Sequence, residues 1–391
     1  MKYNTGTGRF PDMSADNTPV VVAARRTPQG KEDGALAGIR SEDLSIAVIH
    51  ALLEDTGFSG EDIDDLQWGC AQQRGEQDNN LARVIALLSD LGEQVPAATI
   101  NRWCASSMEA IVNGANAIRA GHRDVVIAGG VESMSRVPMQ GGYEHLHPDL
   151  NDHYNVASLQ MGMTAEKVAD EYDVSREAQD EYALQSQQRA AAATDEGRFD
   201  DQIVPVDTPD GIVEKDEGIR PDTSIEKLSN LPTVFVGDGS VTPGNASQIS
   251  DGAAGVVLTS EAVADEHGLP VLGRVGQHQV AGVDPTVMGI GPVPATQKLL
   301  EATGRTIDDY DLVELNEAFA SQTVYAQRTL GIPDDRFNVN GGAIAIGHPL
   351  GASGARLPVT LLHELNRRDG DRGIATLCVG FGQGAAVEFS R

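Results

Sequence analysis

Apolar residues along this chain follow two alternating patterns, short continuous runs and positions spaced three to four residues apart. Residues 20–28 (VVVAARRTP) predict a strand that leads into a turn, and residues 41–57 (SEDLSIAVIHALLEDTG) predict a helix with a Ser N-cap. Residues 125–135 (VVIAGGVESMS) predict a buried strand that runs into a Gly turn. This alternation indicates an α/β fold, and the 43 Gly residues suit its many tight turns.

An internal repeat organises these units. LLEDTG begins at Leu52 and LLEATG begins at Leu299, while CASS at Cys104 corresponds to GASG at Gly351. Both pairs are separated by 247 residues (299 minus 52, and 351 minus 104). Two matches at one offset, in one order within a strand–helix pattern, indicate two similar halves, with chance similarity as the alternative.

The sequence between the halves has a different character. It holds a long polar helical region followed by a turn-rich stretch, which predicts a lid or loop domain over a site. A strand-like segment (GAAGVVLTS) then predicts a return to the first half. The predicted organisation is an N-terminal arm at 1–17, an N-terminal half at 18–136 and 251–285, a loop domain at 137–250, and a C-terminal half at 286–391.

Charge narrows the function classes. The formal net charge is −29, and the 29 basic residues divide into 6 Lys and 23 Arg. A chain without a basic footprint is not expected to bind nucleic acid. Acidic residues scattered over helices and turns, with few Lys, favour a halophilic protein kept soluble in concentrated salt. An ordinary acidic cytosolic enzyme is the alternative.

Cysteine count and hydropathy indicate the compartment. Three widely spaced Cys residues fit neither a disulfide framework nor a four-cysteine zinc site, and no metal site is expected. No apolar run is long enough to span a bilayer, and the start of the chain does not resemble a secretory signal. We therefore expect a cytoplasmic protein without a membrane partner.

Cys104 is the first candidate catalytic residue. It stands where an apolar strand end gives way to a helix, followed by the small residues Ala105, Ser106 and Ser107. A helix N-terminus stabilises a thiolate, and its unpaired N–H groups can bind an oxyanion that forms when the sulfur attacks a carbonyl. The alternative is a small buried core residue.

His348 lies in a second candidate segment, the Gly-rich stretch 338–356 (NVNGGAIAIGHPLGASGAR). Crowding by a ligand is one reason for the Gly residues at 341, 342 and 347. The repeat aligns this turn with the Cys104 elbow, so the sequence predicts a Cys–His pair between the halves. A core histidine remains possible. Neither GxxxxGK[ST] nor a helix-opening GxGxxG is present, so nucleotide hydrolysis is unsupported.

Two further segments carry candidate chemistry. Cys378 ends a short strand in TLCVGFGQG, before a Gly turn, where a thiol could carry protons. Asn316 ends another strand in VELNEAFA and could orient a water or donate to an oxyanion, or could simply cap a helix. Cys70 has no such surroundings and is interpreted as structural.

Together these segments resemble the thiolase family over roughly residues 18–391. The resemblance rests on nine blocks, in order: RTPQGKEDGALAG, NRWCASSMEA, GGVESMSRVPM, MGMTAEKVA, VTPGNASQISDGAA, GPVPA, NEAFA, GGAIAIGHPLGASGAR and CVGFGQG. It implies two duplicated halves stacked in five layers, α/β/α/β/α, with the intervening segment as the CoA-binding loop domain. It also implies an acyltransferase that forms homodimers or homotetramers and needs no cofactor beyond coenzyme A as substrate.

The resemblance assigns roles residue by residue. Cys104 is implied to be the acylated nucleophile, with His348 taking its proton. Asn316 holds a water that helps to stabilise the acetyl-CoA enolate, and Cys378 protonates that enolate and then deprotonates incoming CoA. The backbone N–H groups of Cys104 and Gly380 are implied to bind the thioester oxyanion.

Binding residues and specificity are implied less directly. Arg220 corresponds to the adenine or 3′-phosphate end of CoA, and Ser247 to the pantetheine. Thiolases specialised for acetoacetyl-CoA usually carry His where this chain has Gln160, so a broader 3-ketoacyl-CoA thiolase of β-oxidation is expected. The alternatives are an acetoacetyl-CoA-specific enzyme and a catalytically silent scaffold subunit. A ketoacyl synthase would lack the second cysteine.

Overall fold

A computed structural model describes residues 17–139 and 146–391, and the predicted N-terminal arm lies almost entirely outside them. The strands are β1 (Pro19–Arg26), β2 (Gly30–Lys31), β3 (Asp65–Gly69), β4 (Ala97–Ile100), β5 (Val125–Ser133), β6 (Val206–Thr208), β7 (Gly211–Val213), β8 (Ser250–Ser260), β9 (Gly273–Gly282), β10 (Leu312–Leu315), β11 (Arg372–Val379) and β12 (Gln383–Ser390). The helices are α1 (Ser41–Thr56), α2 (Leu81–Leu88), α3 (Ser106–Arg119), α4 (Leu150–His153), α5 (Met161–Glu171), α6 (Arg176–Asp195), α7 (Ile225–Ser229), α8 (Glu261–His267), α9 (Pro292–Thr303), α10 (Ala320–Leu330), α11 (Ala343–Ile346) and α12 (Leu350–Arg368).

Each half is built on its own sheet. In the first, the order is β4–β3–β5–β8–β1, with β3 parallel to both of its neighbours and β8 antiparallel to β5 and β1. In the second, the order is β10–β11–β12–β9, with β10 parallel to β11. β5 and β8 are buried along their whole length, as expected for strands covered by helices on both faces.

Strand β9 belongs to the second sheet, which corrects the predicted boundary between residues 285 and 286. β9 pairs with β12 along most of both strands, from Gln383 opposite Gly282 to Ser390 opposite Arg274. It contacts β1 through two residue pairs alone, Val20 with Arg274 and Val21 with Gly273. The first half therefore ends before β9, and this short pairing is the seam that joins the two sheets.

Helices α3 and α12 form the central layer between the sheets. α3 packs on β3 and β5, and α12 packs on β5, β8 and β11. The two helices lie so close together that a Cβ on Gly354 would be 2.5 Å from the backbone nitrogen of Met108, so only Gly fits there. The Ala355 N–H also donates to Ser107 Oγ at 2.8 Å. With α1 and α2 outside one sheet and α9 outside the other, the fold has five layers.

The structure also contains the 247-residue repeat. Helices α1 and α9 both end at a left-handed Gly, with φ of 69° at Gly57 and 67° at Gly304. Each is followed by a short 3-10 turn and then a strand, β3 or β10, that lies parallel to its neighbour. The halves therefore share a common order of elements as well as short sequence matches.

The segment between β5 and β8 holds α4 to α7 and the small β6–β7 hairpin. Helix α6 packs on α10 and α11 of the second half. A fully buried ion pair joins this segment to the first half, because Arg26 Nη1 and Nη2 donate to the two carboxylate oxygens of Asp216 at 2.7 and 2.9 Å. Among residues 17–139 and 146–391, no helix combines the length and hydrophobicity that a membrane span requires.

Candidate active site

Cys104 lies in a tight turn immediately before α3. Its side chain is only 2% exposed, in the core between the sheets. Trp103 has a left-handed φ of 46°, a conformation that costs a non-Gly residue about 1–2 kcal/mol. Ser106 supports the turn because its hydroxyl donates to the Trp103 carbonyl at 2.5 Å. The predicted strand-to-helix elbow is therefore present, with backbone strain next to the cysteine.

Burial disfavours the thiolate of Cys104 more than the helix N-terminus favours it. Burial raises its pKa to about 12. The backbone N–H groups of Gly380 and of Cys104 itself lower the pKa, but less than burial raises it. The helix N-terminus does not overcome this desolvation because the sulfur is closed off from water. The same N–H groups are placed where an oxyanion on the acyl carbon would form.

Cys378 lies at the end of β11, and its side chain is fully buried. Burial raises the pKa of its thiol, and the charge of a Cys104 thiolate raises it further. This second effect requires the two sulfurs to lie near each other. The fold thus brings together two cysteines that are far apart in sequence and belong to different halves.

His348 is held in one orientation and one tautomer. Its Nδ1 lies 2.6 Å from Ser353 Oγ, whose hydroxyl donates to the Pro349 carbonyl at 2.9 Å. Because that proton is used, we infer that Ser353 accepts from Nδ1–H, which leaves Nε2 unprotonated as a base. The neighbouring Gly347 is required locally, since its φ is +117° and a Cβ would lie 2.4 Å from Ser250 Oγ.

Asn316 faces this unprotonated nitrogen. Its Nδ2 lies 3.2 Å from His348 Nε2, and its Oδ1 accepts from Arg356 Nη2 at 3.3 Å. An arginine can only donate, so Arg356 fixes which end of the amide points toward the histidine. The Asn316 N–H donates to the Thr376 carbonyl at 3.0 Å, two residues before Cys378. The Asn–His pair is thereby attached to the strand that carries the second cysteine.

A buried arginine and a buried glutamate lie behind these groups. Arg356 is 0% exposed, and its Nη1 lies 3.7 Å from Glu314 Oε2. Burial raises the pKa of Glu314 to about 8, while Arg356 opposes that rise. Burial, and then the nearby charge of Arg356, lower the pKa of His348 to about 3. His348 is therefore neutral at rest.

Sequence reasoning missed Ser353, Arg356 and Glu314. The repeat offered a signal for Ser353, which corresponds to Ser106 at the same offset of 247. Arg356 was visible as a lone cation in a stretch of small and apolar residues, where an unpaired charge is costly and so calls for a partner. Glu314, alone in an apolar strand, offered the corresponding signal.

Glu317 anchors the site to the segment between the halves. Its carboxylate accepts from Tyr182 Oη at 2.8 Å, from Ser186 Oγ at 2.6 Å and from the Ile344 N–H at 3.1 Å. These contacts explain why residue 342 is glycine, because a Cβ on Gly342 would lie 2.4 Å from the Glu317 carboxyl carbon. Close packing of the protein against itself, rather than a ligand, accounts for that glycine.

Two cavities adjoin the catalytic groups. The larger, about 540 Å³, is lined by His348 and Ser247, and also by Gln160. The smaller, about 50 Å³, is lined by Gly380, whose N–H faces the sulfur of Cys104. Met139 and Met161 line both cavities and lie between them.

Arg220 does not line either cavity. Its side chain is exposed, and its backbone N–H donates to Gln187 Oε1 at 2.7 Å. It lies two residues from Gly218, whose carbonyl accepts from Gln248, a residue of the larger cavity wall. Arg220 is thus next to that cavity on the outer surface, where only the far end of a long ligand could reach it.

Cys70 lies in a buried polar cluster of its own. Its Sγ is 3.7 Å from Glu132 Oε1, and burial raises the pKa of the thiol well above its ordinary value. Glu132 also accepts from the Ala71 N–H at 2.9 Å and from the Gly351 N–H at 2.9 Å, which joins the two halves. These contacts agree with a structural interpretation of Cys70. Within the part of the chain that the structure describes, no group of three or more His, Cys, Asp or Glu side chains is arranged to hold a metal.

Comparison with known proteins identifies the family. Residues 19–262 match the family model "Thiolase, N-terminal domain" and residues 269–391 match "Thiolase, C-terminal domain". The chain is 46% identical to the beta-ketoadipyl-CoA thiolase of Pseudomonas putida, over 95% of this chain and 98% of that protein. It is also 46% identical to the 3-ketoacyl-CoA thiolase of Pseudoalteromonas translucida (strain TAC 125), over 96% of this chain and 99% of that protein. The crystal structure of human mitochondrial 3-ketoacyl-CoA thiolase matches with a TM-score of 0.88 and 41% identity, covering 96% of this chain and 100% of that chain. The fold, the two matched domains and these near full-length similarities show that the chain belongs to the thiolase family.

Proposed function

We propose that this protein is an acetyl-CoA C-acyltransferase that cleaves 3-ketoacyl-CoA with coenzyme A, or catalyses the reverse Claisen condensation. The products of cleavage are acetyl-CoA and a shortened acyl-CoA. The observation that carries this proposal is a pair of buried thiols from different halves, Cys104 and Cys378, linked to the Asn316–His348 pair because the Asn316 N–H donates to Thr376 on the strand that ends near Cys378. The relatives named as 3-ketoacyl-CoA thiolases support the substrate class.

In the first half-reaction, Cys104 Sγ attacks the 3-oxo carbon while His348 Nε2 accepts the thiol proton. The resulting oxyanion is bound by the backbone N–H groups of Cys104 and Gly380, each worth about 3–4 kcal/mol in comparable sites. The C2–C3 bond then breaks, which leaves an acyl group on Cys104 and an acetyl-CoA enolate. Protonated His348 and the Asn316 amide, directly or through a water, stabilise that enolate.

In the second half-reaction, the thiol of Cys378 protonates the enolate carbon, and acetyl-CoA departs. The Cys378 thiolate then removes the proton from incoming CoA, whose sulfur attacks the acyl group on Cys104. As the new acyl-CoA forms, the Cys104 sulfur leaves and recovers its proton from His348. Both cysteines and the histidine return to their starting states, so no resident cofactor is consumed.

CoA recognition follows from the larger cavity. Ser247 lines it together with His348, which supports a pantetheine path that reaches the catalytic groups. Arg220, exposed on the adjacent surface, is proposed to bind a phosphate of the nucleotide end. This role needs only a charge at the end of a long ligand, so it is compatible with a side chain that lines neither cavity.

For the acyl group, we propose 3-ketoacyl-CoA substrates longer than acetoacetyl-CoA, as in fatty acid β-oxidation. Gln160 lines the larger cavity at the place where acetoacetyl-CoA-specific thiolases usually carry His. The smaller cavity provides space beside Gly380 beyond what a methyl group fills. An acetoacetyl-CoA-specific enzyme is the second candidate, and a silent scaffold subunit is disfavoured because all four catalytic side chains are in place.

Cellular setting is a further part of the proposal. A net charge of −29 with 6 Lys supports a cytoplasmic enzyme adapted to high salt. We also propose that it acts as a homodimer or homotetramer. Activity that increases from dilute buffer to multimolar KCl, with a stable oligomer by light scattering, is expected, and best activity in dilute buffer would contradict salt adaptation.

The central experiment is a thiolysis assay with 3-ketoacyl-CoAs of four to sixteen carbons, combined with mass spectrometry of the intact protein. Brief incubation with substrate in the absence of CoA should add one acyl group, and peptide mapping should locate it on Cys104. An acyl group on another residue, or turnover without an acyl-protein, contradicts the mechanism. Turnover confined to acetoacetyl-CoA contradicts the broader specificity alone.

A further inference from the structure

Two aromatic residues in left-handed backbone conformation flank the catalytic groups. Trp103, with a φ of 46°, immediately precedes Cys104, and Phe381, with a φ of 60°, immediately follows Gly380. Side chains with a Cβ rarely adopt this conformation, and it persists where surrounding contacts hold it. Two such residues, one next to Cys104 and one next to Gly380 in sequence, indicate a local constraint at this site.

The two rings contact each other. Their centroids lie 5.5 Å apart with an interplanar angle of 42°. Gly380 is enclosed by the same contact, because a Cβ on it would lie 3.3 Å from Cγ of Trp103. Aromatic contact of this kind is favourable, so it offsets part of the backbone strain in both turns. It also holds a turn of the second half against a turn of the first, with the Gly380 N–H directed at Cys104.

The same pair forms a wall of the smaller cavity. The remaining residues around its about 50 Å³ are predominantly apolar: Gln72, Met139, Leu159, Met161 and Gly380. On this measure a water-sized group needs about 10–15 Å³, so the cavity holds about three to five such groups. None of its described lining residues carries a charge, so a charged group placed there would lack a partner.

Gly380, whose N–H contacts the Cys104 sulfur, lines this cavity, so an acyl group on that sulfur would lie next to it. The oxyanion on the acyl carbon points to the N–H groups of Cys104 and Gly380, and the departing acetyl-CoA occupies the larger cavity with His348 and Ser247. The chain that stays on Cys104 therefore extends on the remaining side, along Gly380 and the two aromatic rings.

We propose that Trp103 and Phe381 are specificity-determining residues that restrict the acyl group on Cys104 to an unbranched, uncharged chain. This inference rests on the proposed thiolase reaction and adds the substrate class. The rings limit the width of the pocket next to the sulfur, so a branch at the first carbon beyond the acyl carbonyl meets them. A carboxylate at the chain end meets no cation among the described residues that line the pocket.

The test compares kcat/KM for three 3-ketoacyl-CoAs: an unbranched six-carbon chain, the same chain with a methyl branch at C4, and a six-carbon chain ending in a carboxylate. The wild-type protein should favour the unbranched substrate by at least about 100-fold over each of the others. F381G relieves the left-handed strain and opens the wall, so it should raise the branched-to-unbranched ratio by at least about tenfold.

Asp369 provides a matched control. It also has a left-handed φ, 54°, but lies exposed at the far end of α12. D369G should therefore remove comparable strain without changing any substrate ratio. W103L is the second variant, in case F381G fails to fold, and it should move the branched-to-unbranched ratio in the same direction.

The outcomes distinguish the specificity role of Trp103 and Phe381 from the proposed thiolase function. If a folded F381G or W103L variant has kcat/KM values that are lowered by one common factor for all three substrates, the specificity role is overturned. A wild-type protein that cleaves the carboxylate-ended substrate as well as the neutral one overturns the proposed substrate class. A wild-type protein that cleaves no 3-ketoacyl-CoA overturns the proposed function itself, and the inference with it.

Discussion

The elbows at Cys104 and at Gly351 occupy equivalent positions in the two halves, 247 residues apart, yet they carry different side chains. Each opens a central helix, α3 or α12, and each is followed two residues later by a serine. Ser106 stabilises its own turn by donating to the Trp103 carbonyl at 2.5 Å, whereas Ser353 lies 2.6 Å from His348 Nδ1. In the proposed mechanism, one half therefore supplies the nucleophile and the other the base.

The comparison extends to neighbouring strands. Cys378 in the second half corresponds to Val131 in the first, and Asn316 corresponds to Gly69. The two halves share the element order that builds the packed layers, while the residues that face the centre differ between them. An active site divided in this way depends on how the halves are held together.

The largest expected effect tests the first elbow. C104A removes the acylated sulfur, so thiolysis should fall by about 10⁴-fold or more, as for removal of nucleophiles in other enzymes. C70A is the control, because Cys70 lies against Glu132 and is given no catalytic role. Its activity per folded molecule should match the wild type, and comparable losses in the two variants would contradict the assignment.

The second test addresses the thiol contributed by the other half. C378A should lower turnover by about 10²–10⁴-fold, the range for loss of a general acid–base group. Acylation of Cys104 by a 3-ketoacyl-CoA should still be visible by mass spectrometry, because the nucleophile and His348 remain and Cys378 acts only after the C2–C3 bond has broken. Complete loss of acylation in a folded C378A protein would show that Cys378 is needed for attack as well.

The third test removes the cation that orients Asn316. R356M should lower kcat by about 10–100-fold with little change in KM, since a hydrogen bond to a charged group contributes about 1.5–3 kcal/mol. R356K should restore part of the activity. The corresponding residue of the first half is Glu109, whose partner is Arg102 at 2.8 Å on the partly exposed surface, so E109Q should change kcat less than twofold.

The pH dependence of the first half-reaction provides a smaller effect. With the pKa of His348 lowered to about 3 and that of Cys104 raised to about 12, both groups are neutral across the working range. The value of kcat/KM for the 3-ketoacyl-CoA should therefore change less than about twofold between pH 6 and 8, because it reports ionisations of the free enzyme. A histidine with its ordinary pKa of about 6.5 would instead give roughly a fourfold loss on acidification over that range.

The smallest expected effect tests the capped turns that the two halves have in common. Asp62 accepts from the N–H and hydroxyl of Ser59, both at 2.8 Å. Asp309 accepts from the N–H and hydroxyl of Thr306 at 2.8 and 3.0 Å. S59A and T306A should each lower Tm by about 1–2 °C, because a lost cap contributes about 1 kcal/mol. Neither should change KM, and markedly unequal Tm shifts would argue against equivalent turns.

Sequence was sufficient for the parts of the fold set by local pattern. The helix at 41–57, the strand at 125–135 and the repeat all correspond to observed elements. The sequence could not show which sheet contains β9, since a strand between two sheets can pair with either. The long pairing of β9 with β12 places it in the second sheet.

At the site, sequence indicated which residues carry chemistry but not their surroundings. Cys104, Cys378, Asn316 and His348 were recognisable because reactive side chains stood at element ends, and the fold pairs Cys104 with Cys378 and Asn316 with His348. The raised pKa of Cys104 was not predictable from the sequence, because the desolvation that causes it comes from packing between the halves. Arg356 matters through a contact 40 residues away, which no local pattern reveals.

The raised pKa of Cys104 has a consequence for the protein between turnovers. A thiol with a pKa of about 12 is ionised in only about one molecule in 10⁵ at neutral pH, and peroxides and disulfides react with the ionised form. The sulfur should therefore survive long exposure to air and oxidised glutathione, and become reactive only when a bound thioester and His348 act on it together. The exclusion of water would then both protect the Cys104 thiol from oxidation and prepare it to react with a bound thioester.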